Sequence, residues 1–181
     1  MKVKIGGYPK YYYWLDRLFG WKPKQKISVR IDRYDTWSMD HTLAPIILPM
    51  LKQLKETKHG APNVDPKDVP KELRPTTKWK KAYEGDGTAD PKFFERWDYV
   101  LDEMIWAFEQ KYRDDWESDY CSGEHDVYFE IITEGEYKDH SEMKRGPKDT
   151  FEIDWEGRKA HQERMSNGFR LFGKYYESLW D

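Results

Sequence analysis

The chain has 181 residues, with 31 Lys and Arg against 34 Asp and Glu and a formal net charge of −3, a length that fits one domain. Leu, Ile, Val and Phe make up 18% of it, under the roughly 20% below which a highly charged sequence is expected to stay disordered. The small net charge together with 9 Trp and 13 Tyr opposes disorder and predicts a core built of rings as much as of branched aliphatics.

Other classes fall away on composition. The longest nearly unbroken apolar run, Leu43 to Leu51, contains Pro45 and Pro49 and is far short of the about 20 residues a membrane-spanning helix needs. The opening MKVKIGGYPK has no apolar stretch of the signal-peptide kind. Cys121 is the only cysteine, which leaves no partner for a disulfide within the chain or for a Cys-based zinc set. A reducing cytoplasm is the expected location. Charge is unevenly spread: residues 2–30 sum to +7 and residues 93–142 to −12, so two oppositely charged blocks either meet each other or face outside partners.

In chain order, the first block interleaves Tyr8, Tyr11, Tyr12, Tyr13, Trp14, Phe19 and Trp21 with Lys10, Arg17, Lys22, Lys24 and Lys26. Ile27, Val29 and Ile31 alternate with Ser28, Arg30 and Asp32, the period of a half-buried strand. Leu43, Ile47, Met50, Leu51 and Leu54 recur at three and four and predict a helix, disturbed in its first half by Pro45 and Pro49 and ended by Gly60 and Pro62. Residues 60–91 hold five prolines and three glycines with few aliphatics. They read as a long loop excursion (59–91 as a whole) with room for one helical turn at Pro70–Leu73.

Asp90 and Pro91 make a helix start. Phe94, Trp97, Leu101, Met104, Ile105, Phe108 and Tyr112 then fall on one stripe to about Trp116, the strongest periodicity in the chain. Val127, Phe129 and Ile131, and later Phe151, Ile153 and Trp155, alternate as two strands that could pair antiparallel across the turn-rich segment between them. A last helix from about Glu156 to Leu179 carries Ala160, Met165, Phe169, Phe172, Tyr176 and Leu179, with Gly168 and Gly173 implying close packing. The fold class is α+β: one domain, residues 1–181, of three principal helices packed on a small antiparallel sheet, with a long Pro-rich loop.

Three constellations bear on chemistry. Glu95, Asp98, Asp102 and Glu109 lie in a sector of about 60° on the central helix. Carboxylates one turn apart can hold a divalent cation such as Mg2+, which would suit a metal-dependent nucleotide hydrolase using Glu95, Asp98 and Asp102 with His161 nearby. A solvated acidic edge, or one paired with the basic N-terminal block, is the plainer reading. Asp40 occupies the apolar stripe of the first predicted helix in its opening turn, where its charge suits the positive helix end. Tyr11, Tyr12, Trp14, Arg17 and Trp21 form the third constellation. Rings beside cations suit single-stranded nucleic acid, but the −12 segment opposes a polyanion, and the same residue types dominate protein-binding surfaces. The phosphate-cradling glycine loops and the serine elbow are absent from the sequence.

The stretches DTWSMDHTLAPIILPMLKQLKETKHGAPNVDPKDVPKELR (Asp35–Arg74), WDYVLDEMIWAFEQ (Trp97–Gln110) and SNGFRLFGKYYESLWD (Ser166–Asp181) resemble a family of small uncharacterised proteins of tailed bacteriophages, particularly marine ones of the T4-like group. The resemblance implies a viral protein made in the host bacterial cytoplasm that works by binding host factors, immune signals or virion components. It carries over no catalytic or binding residue. The expected function is therefore a non-enzymatic accessory protein that binds a partner, most simply a protein, through its aromatic and basic N-terminal residues. The alternatives are the Mg2+-dependent hydrolase and a sponge that sequesters a nucleotide signal without cleaving it.

Overall fold

The computed structural model describes residues 1–7, 10, 12–20, 24–76, 89–113 and 115–180. Tyr11, Trp21 and the stretch 77–88 of the Pro-rich segment lie outside the described residues. The elements are β1 (Lys2–Ile5), α1 (Tyr13–Phe19), β2 (Ile27–Arg30), α2 (Met39–Thr57), α3 (Phe93–Arg113), β3 (Cys121–Ser122), β4 (Val127–Ile131), β5 (Ser141–Arg145), β6 (Glu152–Ile153) and α4 (Trp155–Lys174). Short 3-10 turns lie at Arg33–Thr36, Pro66–Asp68, Lys71–Leu73, Trp116–Tyr120 and Tyr176–Ser178. The fold is α+β, with the small antiparallel sheet divided into three two-stranded ladders, β1–β2, β3–β6 and β4–β5.

α3 is the centre of the core. Trp97, Val100, Leu101 and Met104 are fully buried on it because their spacing keeps them on one face, which α2 and α4 cover with Leu48, Leu51, Leu171 and Tyr175. Two ends of the predicted stripe fail: Phe94 and Tyr112 are exposed. α2 runs through both prolines. Pro45 and Pro49 are exposed while Ala44, Leu48 and Leu51 are buried, so the hydrogen bonds the prolines cannot donate belong to the water side, where free carbonyls can be hydrated. Met50 shares that outer side and is exposed, contrary to its place in the predicted stripe.

Gly168 on α4 is buried, and a Cβ there would sit 2.4 Å from the Ala107 Cβ and 2.5 Å from the Glu103 carbonyl oxygen. The helices α3 and α4 touch backbone to side chain at this point, the close approach that the sequence implied. Gly173 meets nothing within 4 Å, so no such approach explains it.

The segment after α2 is not an excursion over residues 60–76. Val64 and Val69 join the core, and Asp68, almost fully buried, accepts from Arg170 Nη2 (2.8 Å), Lys174 Nζ (2.6 Å) and the Tyr175 hydroxyl (2.7 Å). Burial pushes the Asp68 carboxyl up, but hydrogen bonds from Lys174, Tyr175 and Arg170 outweigh it and hold the group below the usual carboxylate range. The strap continues to α3: Asp90 accepts from the Lys92 backbone N–H (3.1 Å) and from Arg96 Nη1 (2.9 Å), and Arg96 also donates to the Leu73 carbonyl (3.0 Å). One aspartate thus both starts the helix and neutralises a buried arginine.

The strand pairing differs from expectation. β4 pairs with β5, Phe129 opposite Met143 and Glu130 opposite Glu142, and not with the segment at 151–155. Gly135 and Asp139 at positive φ return the chain early, so the nearer segment closes the hairpin. SEMKR lacks the alternation that would mark it as a strand. β6 instead pairs with β3. Trp155 opens α4, whose cap is the Asp154 carboxylate accepting from the Gly157 N–H at 2.9 Å.

The core is built less of rings than composition implied. Trp97, Phe108, Trp116 and Tyr175 are buried, but Tyr12, Tyr13, Trp14, Phe19, Trp37, Phe129 and Trp155 are exposed. Among the described residues none before Ala44 is buried, and none between Glu117 and Arg164.

Candidate functional site

The N-terminal block is an exposed surface. α1 ends on Gly20 at φ 62°, a left-handed cap that glycine adopts without a Cβ penalty, and buries none of its residues. Tyr12 is 45% and Trp14 57% exposed, and Phe19 reaches 74%; Arg17 is exposed beside them. β2 is exposed at every position, so Ile27 and Val29 do not form the half-buried strand that their alternation predicts. The alternation is real, since β1 pairs with β2 as Val3 opposite Val29 and Ile5 opposite Ile27. The apolar face is largely open, with Ile5 54%, Ile27 62% and Val29 53% exposed. β1 escaped the sequence reading, although Lys2 and Lys4 alternate with Val3 and Ile5 in a way that marks it. Of the five predicted contact residues the structure describes Tyr12, Trp14 and Arg17.

Among the described residues no ion pair joins 2–30 to 93–142; the acids of α3 are answered from α2. Lys52 pairs with Glu109 at 2.6 Å, Lys55 with Asp102, and Lys58 with Asp98. Ascending positions on α2 meet descending positions on α3, so the ladder fixes the two helices as antiparallel neighbours. The three-residue spacing of Lys52, Lys55 and Lys58 was the sequence signal for it. Two of the three predicted metal ligands, Asp98 and Asp102, thus carry lysine ammonium groups where a cation would bind, while Glu95 lies exposed in the first turn. Among the described residues no group of three or more His, Cys, Asp or Glu is arranged to hold a metal ion.

His161 faces elsewhere. Its ring stacks on Trp116 (centroids 4.3 Å, 11° between planes) and lies 4.8 Å from Trp106, and its Nδ1 is 3.0 Å from the Tyr120 hydroxyl. Nε2 is buried without a hydrogen-bond partner. Burial holds the imidazole below its ordinary pKa; Asp119 opposes this, and Arg164 and Arg113 add to it. The histidine is thus a neutral member of an aromatic box, and the structure does not bring it together with Asp98 and Asp102. Next to the box, Arg164 lies over the Trp106 ring at 4.0 Å and donates to Glu103 at 2.8 and 3.1 Å, which satisfies a carboxylate buried on α3.

A groove of about 750 Å³ opens between α2, α3 and α4, lined by Ile47, Phe108, Met165, Phe169 and Phe172, with Asp40, Lys111 and Gln162 among its polar groups. Asp40 pairs with Lys111 at 2.5 Å across it. The hydrogen bond from Lys111 is the main reason its carboxyl lies below the usual range, against a smaller opposing push from burial. Asp40 therefore sits at the groove rather than on the buried stripe of α2. Apolar walls with a few polar groups are what a small amphipathic ligand needs.

Among the described residues no helix is long and apolar enough to cross a membrane. No protein-family model, no curated protein and no solved structure matches the chain.

Proposed function

We propose that this chain is a phage-encoded, non-enzymatic accessory protein, working in the host bacterial cytoplasm, that binds a host or phage protein through its aromatic and basic N-terminal surface. The observation that carries this reading is the exposure of Tyr12, Trp14, Leu18 and Phe19 beside Arg17. Contiguous exposed apolar area rimmed by charge marks interaction sites, and Trp, Tyr and Arg supply most of the energy at such interfaces. The sequence resemblance to phage proteins supports the cellular setting. Affinity capture from infected cells, with the wild type against a Tyr12→Ala, Trp14→Ala, Arg17→Ala variant, tests it: the variant should fold and lose the partner. A variant that folds and still captures the same partner contradicts the proposal.

The groove favours a second reading, a sponge for a small ligand such as a nucleotide signal. Its aromatic wall would hold a base, and Lys111 would hold a phosphate by exchanging Asp40 for it. Nucleotides that raise the Tm without being consumed support this reading; no shift with any nucleotide class removes it.

A further inference from the structure

We infer that the cationic face of the β1–β2 hairpin is a binding site for the phosphate backbone of single-stranded nucleic acid. Cross-strand partners point to the same side of a ladder, so the pairs Lys2–Arg30 and Lys4–Ser28 share one face, and Val3–Val29 and Ile5–Ile27 the other. Past the last pair, the Gly6 N–H donates to the Lys26 carbonyl at 2.9 Å, and a Cβ on Gly6 would lie 3.8 Å from that of Lys26. Lys26 therefore extends the face that Lys2 and Lys4 begin. The result is an exposed row of Lys2, Arg30, Lys4, Ser28 and Lys26. Side chains on one face of a strand repeat about every 7 Å, close to the spacing of successive phosphates in an extended single strand.

Among the described residues no ion pair reaches Lys2, Lys4, Lys26 or Arg30. The carboxylates that follow β2 are engaged locally, Asp32 with the Tyr34 N–H at 3.1 Å and Asp35 with the amino terminus at 2.6 Å. The acidic block, which on sequence grounds opposes a polyanion, has five of its carboxylates answered from other helices. Lysines of α2 hold Asp98, Asp102 and Glu109, and Arg158 and Arg164 of α4 hold Glu117 at 2.6 Å and Glu103 at 2.8 Å. The field of the acidic block is thus weakened within the fold, whereas that of the hairpin cations is not.

Composition selects the occupant. A protein interface has an apolar centre and is depleted in lysine, whereas this face holds Lys, Arg, Ser and Gly, whose side chains and backbone N–H groups are of the kinds that contact phosphate. An anionic membrane would touch either the cations or the apolar residues, because they lie on opposite faces of the hairpin. A single strand is favoured over a duplex by α1, which lies in the connection beyond Gly6 and Lys26 and carries Tyr13 and Phe19, 70% and 74% exposed. Rings with open faces stack unpaired bases. The inference goes beyond the proposed function, since the row contains none of Tyr12, Trp14 and Arg17.

Fluorescence anisotropy of labelled oligothymidylate with the full chain, across a salt series, tests this. Affinity should fall with salt at a slope of about −3 in log K against log salt, from roughly 0.7 for each of four neutralised phosphates. Lys2→Gln, Lys4→Gln, Lys26→Gln and Arg30→Gln together should lower affinity about a hundredfold near 0.1 M salt and remove most of that slope, with the Tm unchanged. Should the fourfold variant fail to fold, Lys4→Gln and Arg30→Gln decide singly: each should reduce the slope by about 0.7, and no reduction overturns the site. The Tyr12, Trp14, Arg17 alanine variant should keep the slope while losing its protein partner, and the glutamine variant should keep that partner, so either reading can fail alone. No binding at low salt, wild-type affinity in the folded glutamine variant, or tighter binding of the matching duplex overturns the inference. So does tighter binding of polyglutamate of equal charge, which would assign the face to an acidic protein.

Discussion

The helical core and the N-terminal region use similar residues for opposite purposes. On α3, Trp97 is fully buried among Val100, Leu101 and Met104; on α1, Trp14 is more than half exposed beside Leu18 and Phe19, which are more exposed still. Both helices are amphipathic enough to pack. The difference lies in the neighbours: α3 is flanked by two long helices whose apolar faces answer its own, while no described residue before Ala44 is buried. An apolar residue therefore stabilises this fold only where the chain supplies a second surface, and elsewhere it is available to something else.

Trp97→Ala should break the core most. It deletes a fully buried ring that packs edge-on against Tyr175 at 5.7 Å and should cost about 4 kcal/mol, read in denaturant unfolding. Asp68→Asn tests whether the strap at 60–76 belongs to the core, as its ion pairs indicate. Lys174 keeps Asp65 at 3.0 Å and both cations are partly exposed, so the loss of these charged hydrogen bonds should cost about 2 kcal/mol, and a loss near zero would return the segment to the status of a loose loop.

His161 gives the core a pH dependence. Its folded pKa is depressed, so between that value and the unfolded value of about 6.5 the unfolded chain binds the proton first. Stability should therefore fall as pH drops from 7 through 6.5 toward the folded pKa. His161→Phe, which keeps the stack on Trp116, should remove that component of the pH profile. Lys55→Ala should cost only about 0.5 kcal/mol, because its pair with Asp102 is partly exposed; a larger loss would mean that the lysine ladder holds α2 on α3 rather than tuning it.

The sequence made α3 legible because its stripe extends over five turns and both flanking helices answer it. The close approach at Gly168 was legible for a related reason, a glycine on the apolar side of a helix. The ladder partners were not: Ser141–Arg145 has no apolar alternation, and pairing follows the turn, which depends on backbone angles at Gly135 and Asp139. Nor was the strap legible, because Val64 and Val69 are two isolated aliphatics and Asp68 gains its meaning only from Arg170 and Lys174, about a hundred residues later. The acidic row at Asp98 and Asp102 left a metal reading open beside the plainer one of an acidic edge, and only the packing of α2 on α3 brings lysines to it at matching intervals. Alternation at Ile27 and Val29 indicated a strand correctly, but alternation does not report whether a covering surface exists.

The central claim is that the N-terminal rings serve binding and not the fold. The most direct test is the Tyr12→Ala, Trp14→Ala, Arg17→Ala variant, measured at once for thermal unfolding and for capture of the partner from infected cells. An unchanged Tm with capture lost is the predicted result. A Tm that drops by as much as that of Trp97→Ala, or capture that survives intact, would contradict it.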